Sequence, residues 1–98
     1  MKRRQHLFEY LKQQAQALFW QYASGRPLVS QAALAAYKGS LVEFLEYAAR
    51  EHHIGKLAQI RKRHLIAYIR FLRYRRHPEY TIAKRVYGVC FWVSILDP

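Results

Sequence analysis

RKRHLIAYIRFLRYRRHPEYTIAKR, residues Arg61 to Arg85, is the stretch on which the fold turns. It holds nine of the seventeen Lys and Arg residues (Arg61, Lys62, Arg63, Arg70, Arg73, Arg75, Arg76, Lys84 and Arg85) and one acid, Glu79. Leu65, Ile66, Ile69 and Leu72 recur between the charges at helical spacing, so this is folded structure carrying charge and not a solvated basic tail. Pro78 cannot continue a helix and restricts His77 before it, so the stretch reads as a helix, a break and a second helix. The first of these runs from about Lys62 to Arg75, with Leu65, Ile66, Ile69 and Leu72 as its buried set. Arg63 and Arg70, seven apart, share its outer side, and Arg73 follows near the edge of the apolar stripe. Arg75 and Arg76 sit at the C-terminal end, where a helix favours cations. The second helix starts at Tyr80 or Thr81. Lys84 and Arg85 fall in its first turns, where the macrodipole disfavours cations, so their presence points to a role beyond local stability.

Downstream, Ile82, Val86, Val89 and Val93 are spaced by four, three and four and give that last helix its buried stripe. Phe91 and Trp92 make its second half apolar nearly all round, which calls for more protein around it than the chain obviously supplies. They read as core, with a docking surface as the alternative. Cys90 between such neighbours is expected to be a buried, inert thiol; as the single cysteine it allows no intrachain disulfide.

Upstream, Gly55 ends a preceding helical region, and Leu57 and Ile60 read as loop residues tucked into the core. Ser30 is a good N-cap for a helix running to about His52. Leu34, Tyr37, Leu41, Phe44, Leu45 and Ala48 form its inner face, while Lys38, Glu43, Glu46 and Arg50 lie elsewhere, the two acids away from any DNA-facing side. Before it, Ser24-Gly25-Arg26-Pro27 breaks a first amphipathic helix whose stripe is Leu7, Leu11, Leu18 and Tyr22, with Phe8, Ala15 and Phe19 beside them. The expectation is an all-α, four-helix bundle with short connections and no internal repeat.

The chain has 98 residues, a hydrophobic fraction of 52% and a formal net charge of +11. One small domain with a core is the reading, and the charge imbalance makes a polyanion the leading partner, duplex DNA before an anionic membrane surface. The apolar run Val86 to Leu96 is broken by Gly88 and Ser94 and is too short for a membrane span. The N-terminus lacks the uninterrupted apolar core of a signal peptide, so a cytoplasmic protein is expected. His52 and His53 are adjacent and point about 100° apart on a helix, with no Cys or acid at ligand spacing, so neither a metal nor another cofactor is expected.

The run Val29-Ser30-Gln31-Ala32-Ala33-Leu34-Ala35-Ala36-Tyr37-Lys38-Gly39-Ser40-Leu41-Val42-Glu43-Phe44-Leu45 resembles the N-terminal core-binding, or SAM-like, domain of tyrosine recombinases and phage integrases. In that family a hydroxyl-capped helix carries a Tyr seven residues after the cap, a Leu four later and an aromatic-aliphatic pair. The order continues with the apolar loop (Leu57, Ile60), the helix around His64 to Ile69, the break, and Thr81-Ile82-Ala83-Lys84-Arg85-Val86-Tyr87-Gly88-Val89, with Phe91-Trp92 in an aromatic slot. The resemblance covers residues 28–98, residues 1–25 standing as the extra N-terminal helix, and Asp97-Pro98 sits where such proteins pass into an interdomain linker. Ala33, Gly39 and Arg61 depart from the pattern, Arg61 standing where a Ser, Thr or Asp would cap the third helix.

The resemblance implies a helical SAM-like orthogonal bundle that forms half of a clamp on duplex DNA, its second and fourth helices approaching the major groove. Carried over, the contacts are Ser30, Gln31 and Lys38 on the second helix and Tyr80, Thr81, Lys84 and Arg85 at the start of the fourth. Arg63 and Arg70 join them from the charge pattern alone. Free helix N–H groups, cations and hydroxyls suit phosphate, and most such contacts position a protein on DNA without reading bases. The family's catalytic set, with its His-x-x-Arg pair and Tyr nucleophile, belongs to a separate C-terminal domain. Here His64 is followed three later by Ala67 and His77 by Tyr80, so strand cleavage by this chain alone is not expected. The expected partners are duplex DNA and a C-terminal catalytic domain or recombinase subunits. The rival readings are a free-standing small regulator and a basic membrane-surface or protein-docking module.

Overall fold

A computed structural model describes the backbone of residues 2–23 and 30–96 and the side chains of residues 6–22 and 30–95. Among them stand four α-helices and no strand: α1 (Lys2–Ala23), α2 (Gln31–His52), α3 (Lys62–Tyr74) and α4 (Glu79–Leu96), with a 3-10 turn at Leu57–Gln59. The break at Ser24 to Pro27 lies outside the described residues. The all-α, four-helix expectation holds.

Local chemistry explains the boundaries. Ser30 is extended and its Oγ accepts from the Ala33 N–H at 3.1 Å, starting α2 as expected of a hydroxyl cap. α2 stops at His52 as expected, but the residue that ends it is His53 and not Gly55: His53 takes the left-handed conformation (φ 54°), and Ile54 N–H returns to Ala48 C=O. Gly55 serves space instead, because a Cβ there would lie 2.7 Å from Leu7 Cδ2 on α1. Arg61 does not cap α3 with its side chain. Its backbone N–H donates to the His64 Nδ1 at 2.8 Å, while its guanidinium donates to the Ala58 and Ile60 carbonyls at 2.6 and 3.0 Å. The imidazole three residues on thus serves the Arg61 N–H, the reciprocal half of a capping box, in place of a hydroxyl serving a first-turn N–H. At the other end Arg76 is left-handed (φ 60°) and His77 N–H bonds Leu72 C=O. α4 starts at Glu79, slightly earlier than expected; Pro78 supplies the C=O for Ile82 N–H, and Glu79 puts an acid in the first turn where the macrodipole favours one.

The core is formed by all four helices. Leu11, Ala15 and Leu18 of α1, Leu41, Phe44, Leu45 and Ala48 of α2, Tyr68 and Leu72 of α3, and Ile82, Val89 and Trp92 of α4 are buried, as is Leu57 of the turn. Helices α2 and α4 run antiparallel: Tyr37 meets Phe91, Ser40 meets Gly88 and Glu43 meets Arg85. Their close approach depends on Gly88, where a Cβ would come within 2.7 Å of Ser40 Cβ and 3.3 Å of Tyr37 Cα. A single amide ties α1 to the turn: Gln14 Nε2 donates to Gly55 C=O and its Oε1 accepts from Leu57 N–H, both at 2.8 Å.

Two burial expectations change. On α3 the innermost residues are His64, Tyr68 and Leu72, while Ile66 is exposed, so the helix is turned from its aliphatic stripe towards its aromatic one. Tyr68 gains ring contacts with Phe44 and Tyr47 at 5.1 Å, which an aliphatic side chain there could not make. Cys90 is exposed, because α4 turns that position outward between the buried Val89 and Trp92. The aromatic half of α4 finds its cover within the chain: Phe19 and Tyr22 of α1 stand 4.8 and 5.6 Å from the Trp92 ring, and Tyr22 also meets Phe91. Trp92 is fully buried, with no partner for its Nε1–H among the described residues.

Candidate nucleic-acid interface

The side chains expected to meet DNA are distributed over several faces. Ser30 and Gln31 are exposed at the start of α2, with the Ser30 hydroxyl used in the cap. Tyr80 is exposed at the start of α4, Thr81 is half-buried beside it, and Lys84 holds its ammonium 5.5 Å over the Tyr80 ring. Because α2 and α4 are antiparallel, these two helix starts lie at opposite ends of their seam. Counting ten residues from Ser30 to Ser40 and seven from Gly88 back to Thr81, they stand roughly 25 Å apart along the helices. Lys38 is half-buried on the α1 flank of α2, its Nζ 5.5 Å over the Phe19 ring. Arg63 and Arg70 are exposed on the outer side of α3 and have no carboxylate at ion-pair distance among the described residues.

Arg85 stands apart. One residue further round α4 than Lys84, it points between α2 and α3, with its Nε 3.1 Å from Glu43 Oε2 and its side chain 29% exposed. It also faces Tyr68, whose pKa burial raises and Arg85 partly lowers. Arg85 therefore joins three helices, which its position in the sequence did not reveal. Glu43, expected away from any DNA-facing side, is the partner of a residue expected on it. The signal was available in principle, since Arg85 lies on the same side of α4 as Ile82 and Val89.

Three of the acids pair with arginines. Glu43 pairs with Arg85, Glu46 with Arg50 at 3.6 Å, and Glu79 with Arg73 at 3.0 Å, the last a two-point contact that ties the end of α3 to the start of α4. Arg75, expected as an electrostatic cap, also places its guanidinium 5.7 Å over Phe71, with Arg50 at 5.8 Å from the same ring. Outward and without a carboxylate partner among the described residues are Lys56, Arg61, Lys62, Arg63, Arg70, Arg75, Arg76 and Lys84.

Two further clusters bear on chemistry. Tyr37 stacks on Phe91 at 4.8 Å and leans on Tyr87 at 5.6 Å; partial burial, then the Tyr87 phenol, raises its pKa. Tyr87 and Tyr80 add exposed rings to the outer side of α4. Near the turn, the His52 Nε2 lies 3.0 Å from the Tyr47 hydroxyl and the His52 ring 5.1 Å from that of His64. His64 is 6% exposed; burial first, then His52, Arg63 and Arg61, lowers its pKa below the ordinary 6.5. It is thus a neutral ring whose Nδ1 accepts. Among the described residues no three His, Cys, Asp or Glu stand together as metal ligands, and no described helix is long and apolar enough to cross a membrane. No protein-family model, curated protein or solved structure matches the chain.

Proposed function

We propose that this chain is a cytoplasmic duplex-DNA-binding module, working as the core-binding part of a site-specific tyrosine recombinase beside a separate catalytic domain. The observation that carries the DNA reading is the sorting of charge. Glu43, Glu46 and Glu79 are each occupied by an arginine, while Lys62, Arg63, Arg70 and Lys84 are among the eight outward cations with no carboxylate partner among the described residues. A chain of net charge +11 relieves its self-repulsion by displacing counterions from a phosphate backbone. The recombinase assignment rests on the ordered resemblance over residues 28–98. In this reading Lys84, flanked by Tyr80 and Tyr87, contacts phosphate, Arg63 and Arg70 add a second row, and Ser30 and Gln31 mark the far end of the footprint. Arg85 supports the surface from beneath.

The test is a duplex titration at several salt concentrations. Each phosphate contact removed lowers the slope of log affinity against log salt by about one. Lys84→Ala and the double variant Arg63→Ala with Arg70→Ala are each expected to lower affinity and slope while retaining the helical signal. Salt-insensitive binding by the parent chain, or slopes unchanged in both variants, would end the DNA reading. For the recombinase assignment, the decisive observation is whether a segment with His-x-x-Arg and a later Tyr accompanies this module in its natural protein.

A further inference from the structure

We propose that the pit between the 3-10 turn, the start of α3 and the last turns of α4 binds a small anionic amphiphile, a soluble carboxylate with an apolar chain. The cavity is about 610 Å³, within the range of small-molecule sites. Phe44 of α2 lies at its base; Leu57 of the turn, Leu65 of α3, and Val89 and Val93 of α4 form the walls. The orientation of α3 accounts for it. With His64 and Tyr68 turned into the core, Leu65 and Ile69 are only half covered, and Leu65 lines the pit.

Charge at the pit is one-sided. Arg61 and Lys62 line it and no acid does. Arg50, Arg73 and Arg85 each reach a carboxylate, whereas neither Arg61 nor Lys62 has one among the described residues. Arg61 is also held in place, its guanidinium anchored on the Ala58 and Ile60 carbonyls. The first-turn amides of α3 add positive partial charge at the same end. An anion there meets a fixed guanidinium, an ammonium and a helix start, while its chain covers apolar walls. A neutral or cationic ligand of the same shape gains the walls alone.

The probe is decanoate below its micelle concentration, titrated calorimetrically into the whole chain, with decylammonium as the control of equal length and opposite charge. Saturable one-to-one binding of decanoate is expected, with little or none of decylammonium. Lys62→Glu, an exposed substitution, should weaken decanoate about tenfold. Ala58→Phe, which fills the mouth from an exposed lining position, should abolish binding with little change in the unfolding midpoint. Equal binding of the two probes, unsaturable uptake, an unaffected Lys62→Glu protein, or binding to anionic vesicles without binding of free decanoate would each overturn the proposal. The inference is independent of the DNA reading.

Discussion

Lys84 and Arg85 are neighbours in the chain and sit in opposite settings. Lys84 lies on the outer side of α4, over an exposed tyrosine and without a carboxylate among the described residues; Arg85 lies on the inner side, paired with Glu43 of α2 and facing Tyr68 of α3. One step along a helix is about 100°, enough to carry a cation from solvent to an interhelical seam. Charge density along the sequence therefore overstates the surface available to a polyanion. It counts alike the arginines that hold the bundle together and the cations that remain free.

The inner side should be sensitive to shape. Gly88→Ala places a methyl group against Ser40 and Tyr37, so α2 and α4 must separate; about 2 kcal/mol of destabilisation is expected by urea unfolding, net of the better helix propensity of Ala. A Gly88→Ala protein as stable as the parent would mean that the seam is looser than described. Arg85→Ala should cost about 1 kcal/mol, limited because Glu43 is 54% exposed, and a double-mutant cycle with Glu43→Ala should return a coupling of about 0.5–1 kcal/mol. Zero coupling would return Arg85 to the candidates for direct DNA contact.

His64 gives a pH test of the same inner layer. Its folded pKa is lowered, so the unfolded chain takes up the proton more readily. Its contribution is fully present above the ordinary value of 6.5 and is lost as the pH falls from there through the lower folded pKa, so the unfolding midpoint should drop as the solution is taken from neutral to mildly acidic pH. His64→Gln should flatten that dependence; an unchanged slope would move its source elsewhere. Next, Arg76→Gly relieves a left-handed non-glycine position and should stabilise by about 0.5 kcal/mol, the strain relief being partly offset by a freer unfolded chain. Smallest on stability is Lys84→Ala, expected within about 0.5 kcal/mol of the parent by urea unfolding while duplex affinity falls. A large stability loss there would erase the contrast between the two sides.

Much of the architecture was legible because it is local. Ser30 capped its helix, Pro78 broke the chain, and the spacing of Leu34, Leu41, Phe44, Leu45 and Ala48 identified the face that α2 buries. The candidate interface was less legible. A periodic pattern reports which residues are apolar, and on α3 the buried direction was set by aromatic contacts between Tyr68, Phe44 and Tyr47 in place of the stripe through Ile66. Cys90 was misplaced for a related reason: apolar neighbours in sequence are not neighbours across a helix.

By itself the sequence determined the four helices, most of their ends and the excess of positive charge, since each depends on residues within a turn or two or on composition alone. Tertiary structure decided which cations are free. Ion pairing is a matter of a few ångströms between helices, and only the packing of α4 against α2 and α3 brings Glu43 and Tyr68 to Arg85 while leaving Lys84 in solvent.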